Sequence, residues 1–287
     1  MLFAIRHPPM NLVVLADIHA NYPALCAVAQ HIESWKPDHV IVAGDVVNRG
    51  SKPLECWQFV KEKEKTCGWR LVRGNHEDYV LTHKNPDRSR DPVDQAIAQS
   101  SWWTFQKLGD AVSALETLPD TLSIDSPRGE IRITHASMKG NRVGIYPWMS
   151  DDEIKNLVGD PPSLFCVGHT HIPLVRRLNG TMVVNVGSAG LPFDGDTCVS
   201  YAQITSNHRE WNVEIVRLNY DRAQAERDHF ETGYNEDGGA LAKLVIEELR
   251  RAKSAIFQWT EKYEKAVRAG EIGIDESVRK FLEDVYK

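Results

Sequence analysis

Five short, β-rich segments of this chain end alike. "NLVVLA" runs into Asp17-Ile18-His19 and "HVIVAG" into Asp45; "WRLVRG" runs into Asn75 and His76. "EIRIT" then delivers His135, and "LFCVG" delivers His169-Thr170-His171. Apolar, β-favouring runs closed by glycine or polar breakers read as strands. The first two are nearly continuous apolar runs, as in strands covered on both faces. Helical patterns lie between the early strands. Pro23 opens one, with Leu25, Val28 and Ile32 at helical spacing, and Pro53 to Lys65 forms a second. Strand–helix alternation predicts βαβ units, whose strand carboxyl ends line a shared crevice. Residues distant in sequence are therefore expected to meet at one edge.

The remaining pattern is simpler. Residues 78–119 read as a helical excursion with no strand, its adjacent Trp102 and Trp103 packing inside it. "SDDE" at Ser150 to Glu153 predicts a capping box. "TMVVNVG" (Thr181 to Gly187) is a further strand. "CVSYAQIT" and "WNVEIVRLNY" predict a late hairpin ending at Tyr220. Beyond it, Leu241, Leu244, Val245, Leu249, Ala252, Ile256 and Trp259 form an apolar stripe. That stripe predicts one long helix reaching nearly to Gly270, followed by a last helix from Asp275 to Tyr286. The expected organisation is a catalytic domain over 10–220 and a helical extension over 221–287. The extension is expected to pack on the core or on a partner subunit of a homodimer, a monomer being the other option.

Charge and cysteine usage narrow the class. A formal charge of -6 argues against general nucleic-acid binding, which needs a basic face. It leaves room for a small phosphorylated partner, since bound metal can supply local positive charge. The five cysteines are scattered, with no C-x-x-C pair, so neither a zinc knuckle nor a disulfide framework is expected. The opening "MLFAIRHPPM" has too short an apolar run for a signal peptide, and no stretch matches a membrane span. A cytoplasmic protein is expected.

The strand ends carry a specific chemistry. Asp17, His19, Asp45, Asn75, His135, His169 and His171 offer carboxylate, amide and imidazole ligands and no thiolate. Such a set suits Mn, Fe, Zn, Ni or Co rather than a sulfur-rich structural zinc. Seven ligands are too many for one ion and fit two if a carboxylate bridges them. Two divalent ions about 3.5–4 Å apart can bind a shared hydroxide and clamp a phosphoryl oxygen. Glycine before Asp45, Asn75 and His169 lets the backbone turn and keeps bulk out of the crevice. A lone Asp-x-His is an ordinary turn or cap; five such ends in one chain are not.

The pattern Asp17-Ile18-His19, Gly44-Asp45, Gly74-Asn75-His76-Glu77, His135 and Gly168-His169-Thr170-His171 resembles the calcineurin-like metallophosphoesterase superfamily. The resemblance covers roughly Leu12 to Tyr220. It implies an α/β fold: a four-layer α/β/β/α sandwich of two mixed β-sheets, here with a helical insertion and a helical C-terminal extension. It implies that Asp17, His19 and His171 hold a first metal and Asn75, His135 and His169 a second. Asp45 would bridge the two, and manganese is the preferred metal. His76 would stand beside the metals as general acid. "GDVVNRG" and "LVRGNHE" resemble the arginine-bearing motifs of Ser/Thr phosphatases and diadenosine tetraphosphatases, which would put Arg49 and Arg73 on substrate phosphate. "NVGSAGLPFDGD" looks more like the compact prokaryotic phosphodiesterase branch. Asn48 departs from the pattern, because the phosphatase motif has an Asp there to pair with the catalytic histidine.

The function so implied is hydrolysis of a phosphate ester or anhydride by a metal-bridging hydroxide. A phosphodiesterase or dinucleoside tetraphosphate hydrolase leads, with a nucleotide among the candidate substrates. A Ser/Thr-type protein phosphatase or general phosphomonoesterase is the alternative. An inactive scaffold of the same fold is the alternative from another class. It would be expected to lack ligands, and every ligand type is present here.

Overall fold

A computed structural model describes residues 10–89, 91–206 and 210–285. Tyr286, the predicted end of the last helix, and the opening segment before Met10 lie outside these residues. Ten strands occur among them. In chain order they are β1 (Asn11–Leu15), β2 (His39–Val42), β3 (Arg70–Leu71), β4 (Thr121–Ser126) and β5 (Gly129–Thr134). Then follow β6 (Leu164–Val167), β7 (Leu174–Leu178), β8 (Thr181–Asn185), β9 (Val199–Ser206) and β10 (Trp211–Leu218).

The strands form two five-stranded sheets, ordered β10-β9-β1-β2-β3 and β4-β5-β6-β8-β7. Both are mixed. β1, β2 and β3 run parallel, with Val13 opposite Val40, and β9 and β10 add antiparallel. In the second sheet β5, β6 and β8 run parallel between antiparallel edges β4 and β7. Alternation along each strand assigns side chains to layers. Leu12, Val14 and Ile41 face Ile131, Ile133, Leu164 and Val184 between the sheets. Val13 and Leu15 point the other way, against Leu25, Val28 and Ile32 of the helix Tyr22–Trp35. Phe165 and Val183 cover the far face with Ile154 and Leu157 of the helix Asp151–Val158. The result is the four-layer α/β/β/α sandwich.

Local signals behave as the sequence dictates. Asn21 caps the first helix by accepting from Ala24 N–H. Ser150 and Glu153 form the reciprocal capping box. All five cysteines are free thiols. Among the described residues no helix is long and apolar enough to cross a membrane.

The C-terminal stripe departs from expectation. It is not one helix: Ala242–Arg251 ends at Ala252, which has φ +49, and a new helix starts at Ala255. Gly195 N–H donates to the Ala252 carbonyl at 3.0 Å, tying the break to a loop of the sandwich. The extension packs on this chain's own excursion. Leu241, Leu244 and Trp259 share a core with Val93 and Ile97, and Trp103 meets Tyr234 edge-on. Trp103 is buried by that contact, while Trp102 stacks on Phe105.

Candidate metal centre

The parallel strands β1, β2, β3, β5 and β6 all point their carboxyl ends at one edge, so the loops that follow them converge there. The loops after β1 and β2 stay paired beyond the strands. Asp17 N–H donates to Gly44 O (3.1 Å), His19 N–H to Asp45 O (3.0 Å) and Ala20 N–H to Val46 O (3.0 Å). Turning sharply while keeping these bonds puts residues in the left-handed region. Asp17, His19, Ala20, Asp45, Asn48, Arg49, His169 and His171 all have positive φ. They are eight of the eleven such non-glycine residues among those described. Backbone cost is thus concentrated at this edge, as at functional sites generally.

A buried carboxylate holds the second loop in place. Glu77 accepts from the N–H groups of Asp45 (2.9 Å), Val46 (2.8 Å), Val47 (3.2 Å) and Gly74 (2.8 Å). Burial pushes its pKa up to about 7 and the Asp45 charge adds to this, against those four N–H donors. Close approach needs glycine here. A Cβ on Gly74 would lie 2.0 Å from Asp45 Oδ1, and one on Gly168 2.4 Å from Asp17 Oδ2.

The seven predicted ligands are brought together. Asn75 Oδ1 lies 2.8 Å from His135 Nε2 and 2.9 Å from His169 Nδ1. Asp45 Oδ2 lies 3.3 Å from His135 Nε2 and 3.6 Å from His19 Nε2. Asp17 Oδ1 lies 3.5 Å from His171 Nε2 and 3.9 Å from His19 Nε2. His19 Nε2 and His171 Nε2 face each other at 3.1 Å. Ligand atoms of Asp17, His19 and His171 form one compact group, and those of Asp17, Asp45 and His135 another.

Three features fit a resident cation. First, the outer ring nitrogens are committed to carbonyls: His19 Nδ1 to Asn48 O, His135 Nδ1 to Ala43 O and His171 Nδ1 to Leu191 O. For His19 and His171, a neutral ring that donates outward presents its inner nitrogen as a lone pair, the arrangement a metal ligand needs. Second, Asp17 Oδ1 is buried with no hydrogen-bond partner, which is costly unless something positive occupies that side. Third, the charges are unbalanced. Burial pushes Asp17 well above the carboxylate range and drives His19 and His171 well below the imidazole range. Burial works to raise Asp45, yet the surrounding imidazoles, His135 foremost, hold it well below the carboxylate range. His135 resists its own burial through Asp45 and is raised to about 10. Oxygen and nitrogen donors without thiolate suit a divalent cation.

His76, Arg49 and Arg73 surround the cluster differently. His76 meets His19 edge-on at 4.6 Å between ring centres. Its Nδ1 accepts from Asn48 Nδ2 at 2.9 Å, and Thr104 and Ser100 hydroxyls donate to Asn48 Oδ1. The asparagine therefore occupies the aspartate's expected place itself. Burial lowers His76 to about 3, with Arg49 adding and Asp45 opposing. Arg49 is paired with Glu248, a residue carrying no signal in the sequence. Arg73 is bound by Asp120 (2.7 Å) and Asp78 (3.2 Å), so its charge goes to those two carboxylates. The sequence reading also missed Phe193, which stacks on His171 at 4.1 Å.

Comparison with known proteins agrees with this geometry. The calcineurin-like phosphoesterase superfamily domain matches residues 10–210, and the chain belongs to that superfamily. It is accordingly a phosphoester hydrolase with the family's two-sheet fold. MJ0912 of Methanocaldococcus jannaschii is 28% identical over 232 residues, 75% of this chain and 89% of that protein. The crystal structure of a metallophosphoesterase from Sphaerobacter thermophilus superposes with a TM-score of 0.67 at 25% identity, covering 85% of this chain and all of that one. The symmetrical bis(5'-nucleosyl)-tetraphosphatase of Actinobacillus pleuropneumoniae is 28% identical over 131 residues, 45% of this chain and 46% of its own length.

Proposed function

We propose that this protein hydrolyses small phosphodiesters or dinucleoside polyphosphates, a dinucleoside tetraphosphate foremost, with two divalent cations as cofactors. The observation that carries the reading is the junction at Asn75, whose Oδ1 meets His135 and His169 while His135 reaches on to Asp45. Such a shared set suits two adjacent ions better than one. The tetraphosphatase relatives support a small nucleotide as substrate.

Asp17, His19 and His171 would hold one cation; Asn75, His135 and His169 would hold the other, with Asp45 between them. When bound, such cations supply Lewis acidity and a water-derived nucleophile at neutral pH. This chain's residues do the rest. The carbonyl-anchored imidazoles aim the inner nitrogens, and Glu77 fixes the loop that presents Asp45. With Nδ1 accepting from Asn48, His76 carries its proton on Nε2. From there it donates a hydrogen bond to a phosphoryl or leaving-group oxygen and keeps its own proton. Arg49 adds a positive charge beside the cluster, where phosphoryl charge gathers. We assign the phosphate role to Arg49 in preference to Arg73, because two carboxylates, Asp78 and Asp120, hold Arg73 and only one, Glu248, holds Arg49.

The test is a substrate panel with added manganese: diadenosine tetraphosphate, an aryl phosphodiester, an aryl phosphomonoester and a phosphopeptide. Diadenosine tetraphosphate and the diester should turn over fastest. Preference for the phosphopeptide would overturn the reading in favour of a protein phosphatase.

A further inference from the structure

The geometry points to Glu248 as a positioning residue for Arg49, making the C-terminal extension part of the phosphate-handling face. This rests on the phosphoesterase reading above. Arg49 follows β2 and Glu248 lies in the helix Ala242–Arg251, 199 positions later. The pair is bidentate: Arg49 Nε to Glu248 Oε2 at 2.9 Å and Nη2 to Oε1 at 2.5 Å. Ser254 Oγ also accepts from Nη2, at 3.2 Å. The Glu248 side chain is wholly buried and that of Arg49 only 14% exposed.

Helix packing alone does not account for this pair. Leu244, Val245 and Leu249 already bury the apolar face of the helix. Burying two opposite charges contributes little to stability beyond what apolar residues would give. What the pair does supply is direction. Arg49 sits on left-handed backbone one residue after Asn48, whose carbonyl faces His19 Nδ1. Glu248 engages Nε and Nη2, and neither bond uses Nη1, which remains for a phosphoryl oxygen.

The surroundings fix the group from other sides as well. The guanidinium lies 4.9 Å over the Phe193 ring, which in turn stacks on His171. Glu248 Oε1 also accepts Ile256 N–H at 2.9 Å, so it caps the helix that follows the break at Ala252. That break allows one carboxylate to serve both the helix start and the arginine.

The experiment uses the full, manganese-loaded chain and two probes: inorganic phosphate binding by calorimetry and turnover of an aryl phosphodiester. Glu248→Gln, Arg49→Ala and the double variant are compared, with metal content measured on each. Glu248→Gln should weaken phosphate binding and raise KM about tenfold, the scale of one charge-assisted contact, with the loss in KM rather than kcat. The double variant should be no worse than Arg49→Ala, and Glu248→Asp should recover part of the loss. Unchanged phosphate affinity in Glu248→Gln, or losses that multiply in the double variant, would overturn the inference. If Glu248→Gln does not fold, Ser254→Ala and Glu248→Asp decide on the same two readouts. Phosphate binding that depends on Glu248 in a protein without turnover would refute the hydrolase reading and leave this one standing. Turnover indifferent to Glu248 would do the reverse.

Discussion

Asn48 Nδ2 donates to His76 Nδ1 across 2.9 Å, and this one bond sets which nitrogen of the catalytic candidate carries a proton. An aspartate there would accept from Nδ1 and favour an imidazolium; the asparagine does the opposite. Asn48→Ala should therefore lower turnover about tenfold by freeing the ring, while bound metal stays constant. His76→Ala should lower turnover further, again with metal retained. Activity assays paired with elemental analysis check both. An empty site in His76→Ala would make that histidine a ligand instead.

Asp45 lies between the two ligand groups, with Oδ2 near both His135 and His19. Asp45→Asn should lose metal and activity together, measured by elemental analysis after purification without chelator. Retention of the full metal complement would exclude the bridging role.

Gly74 is a subtler target, because a methyl group there would lie 2.0 Å from Asp45 Oδ1. Gly74→Ala must displace that carboxylate or the loop Glu77 holds. Manganese affinity should fall about 10–100-fold, the effect of disturbing a ligand's support. Titration of the metal-free protein measures this, and circular dichroism should show the fold intact.

His83 provides a pH test away from the cluster. Arg88 Nη1 donates to His83 Nδ1 at 2.8 Å, so the ring is neutral and Nε2 donates to Ser101. Burial, then the Arg88 charge, lowers its pKa from 6.5 to about 4. Above 6.5 neither folded nor unfolded chain protonates it, and the contribution is complete. As pH falls towards 4 the unfolded chain takes a proton that the folded chain refuses, so stability is lost. Solvent screening of a ring that is not fully enclosed keeps the loss below about 3 kcal/mol. His83→Gln should be less stable than the parent at pH 7, with the gap narrowing by pH 4.5 in urea melts.

The buried strands and their polar ends were readable because both follow from one rule: a strand covered on two faces must be apolar until it stops. β4 and β7 escaped notice as half-exposed edges, one written "TLSIDS" and the other carrying Arg176 and Arg177. The break at Ala252 escaped because alanine in left-handed backbone announces nothing. The strand-end candidates that the structure brings together were readable by residue type and position. Phe193 and Glu248 were not, since each reaches the site through tertiary packing without a fixed spacing to those residues; Glu77 stood in the quoted motif, but its hold on the backbone N–H groups of the second loop was not readable. The outward anchoring of the histidines was equally invisible, because backbone carbonyls leave no mark in a sequence.

The distance in sequence between Arg49 and Glu248 has a consequence for biogenesis. A ribosome working from the amino terminus finishes His171, the last of the seven candidate cation ligands, well before it reaches Glu248. The nascent chain thus owns a whole set of cation ligands while the wall that restrains Arg49 is still unmade. Metal capture can precede the arrival of a working phosphate contact, and the two are joined only once the helix bearing Glu248 has been made.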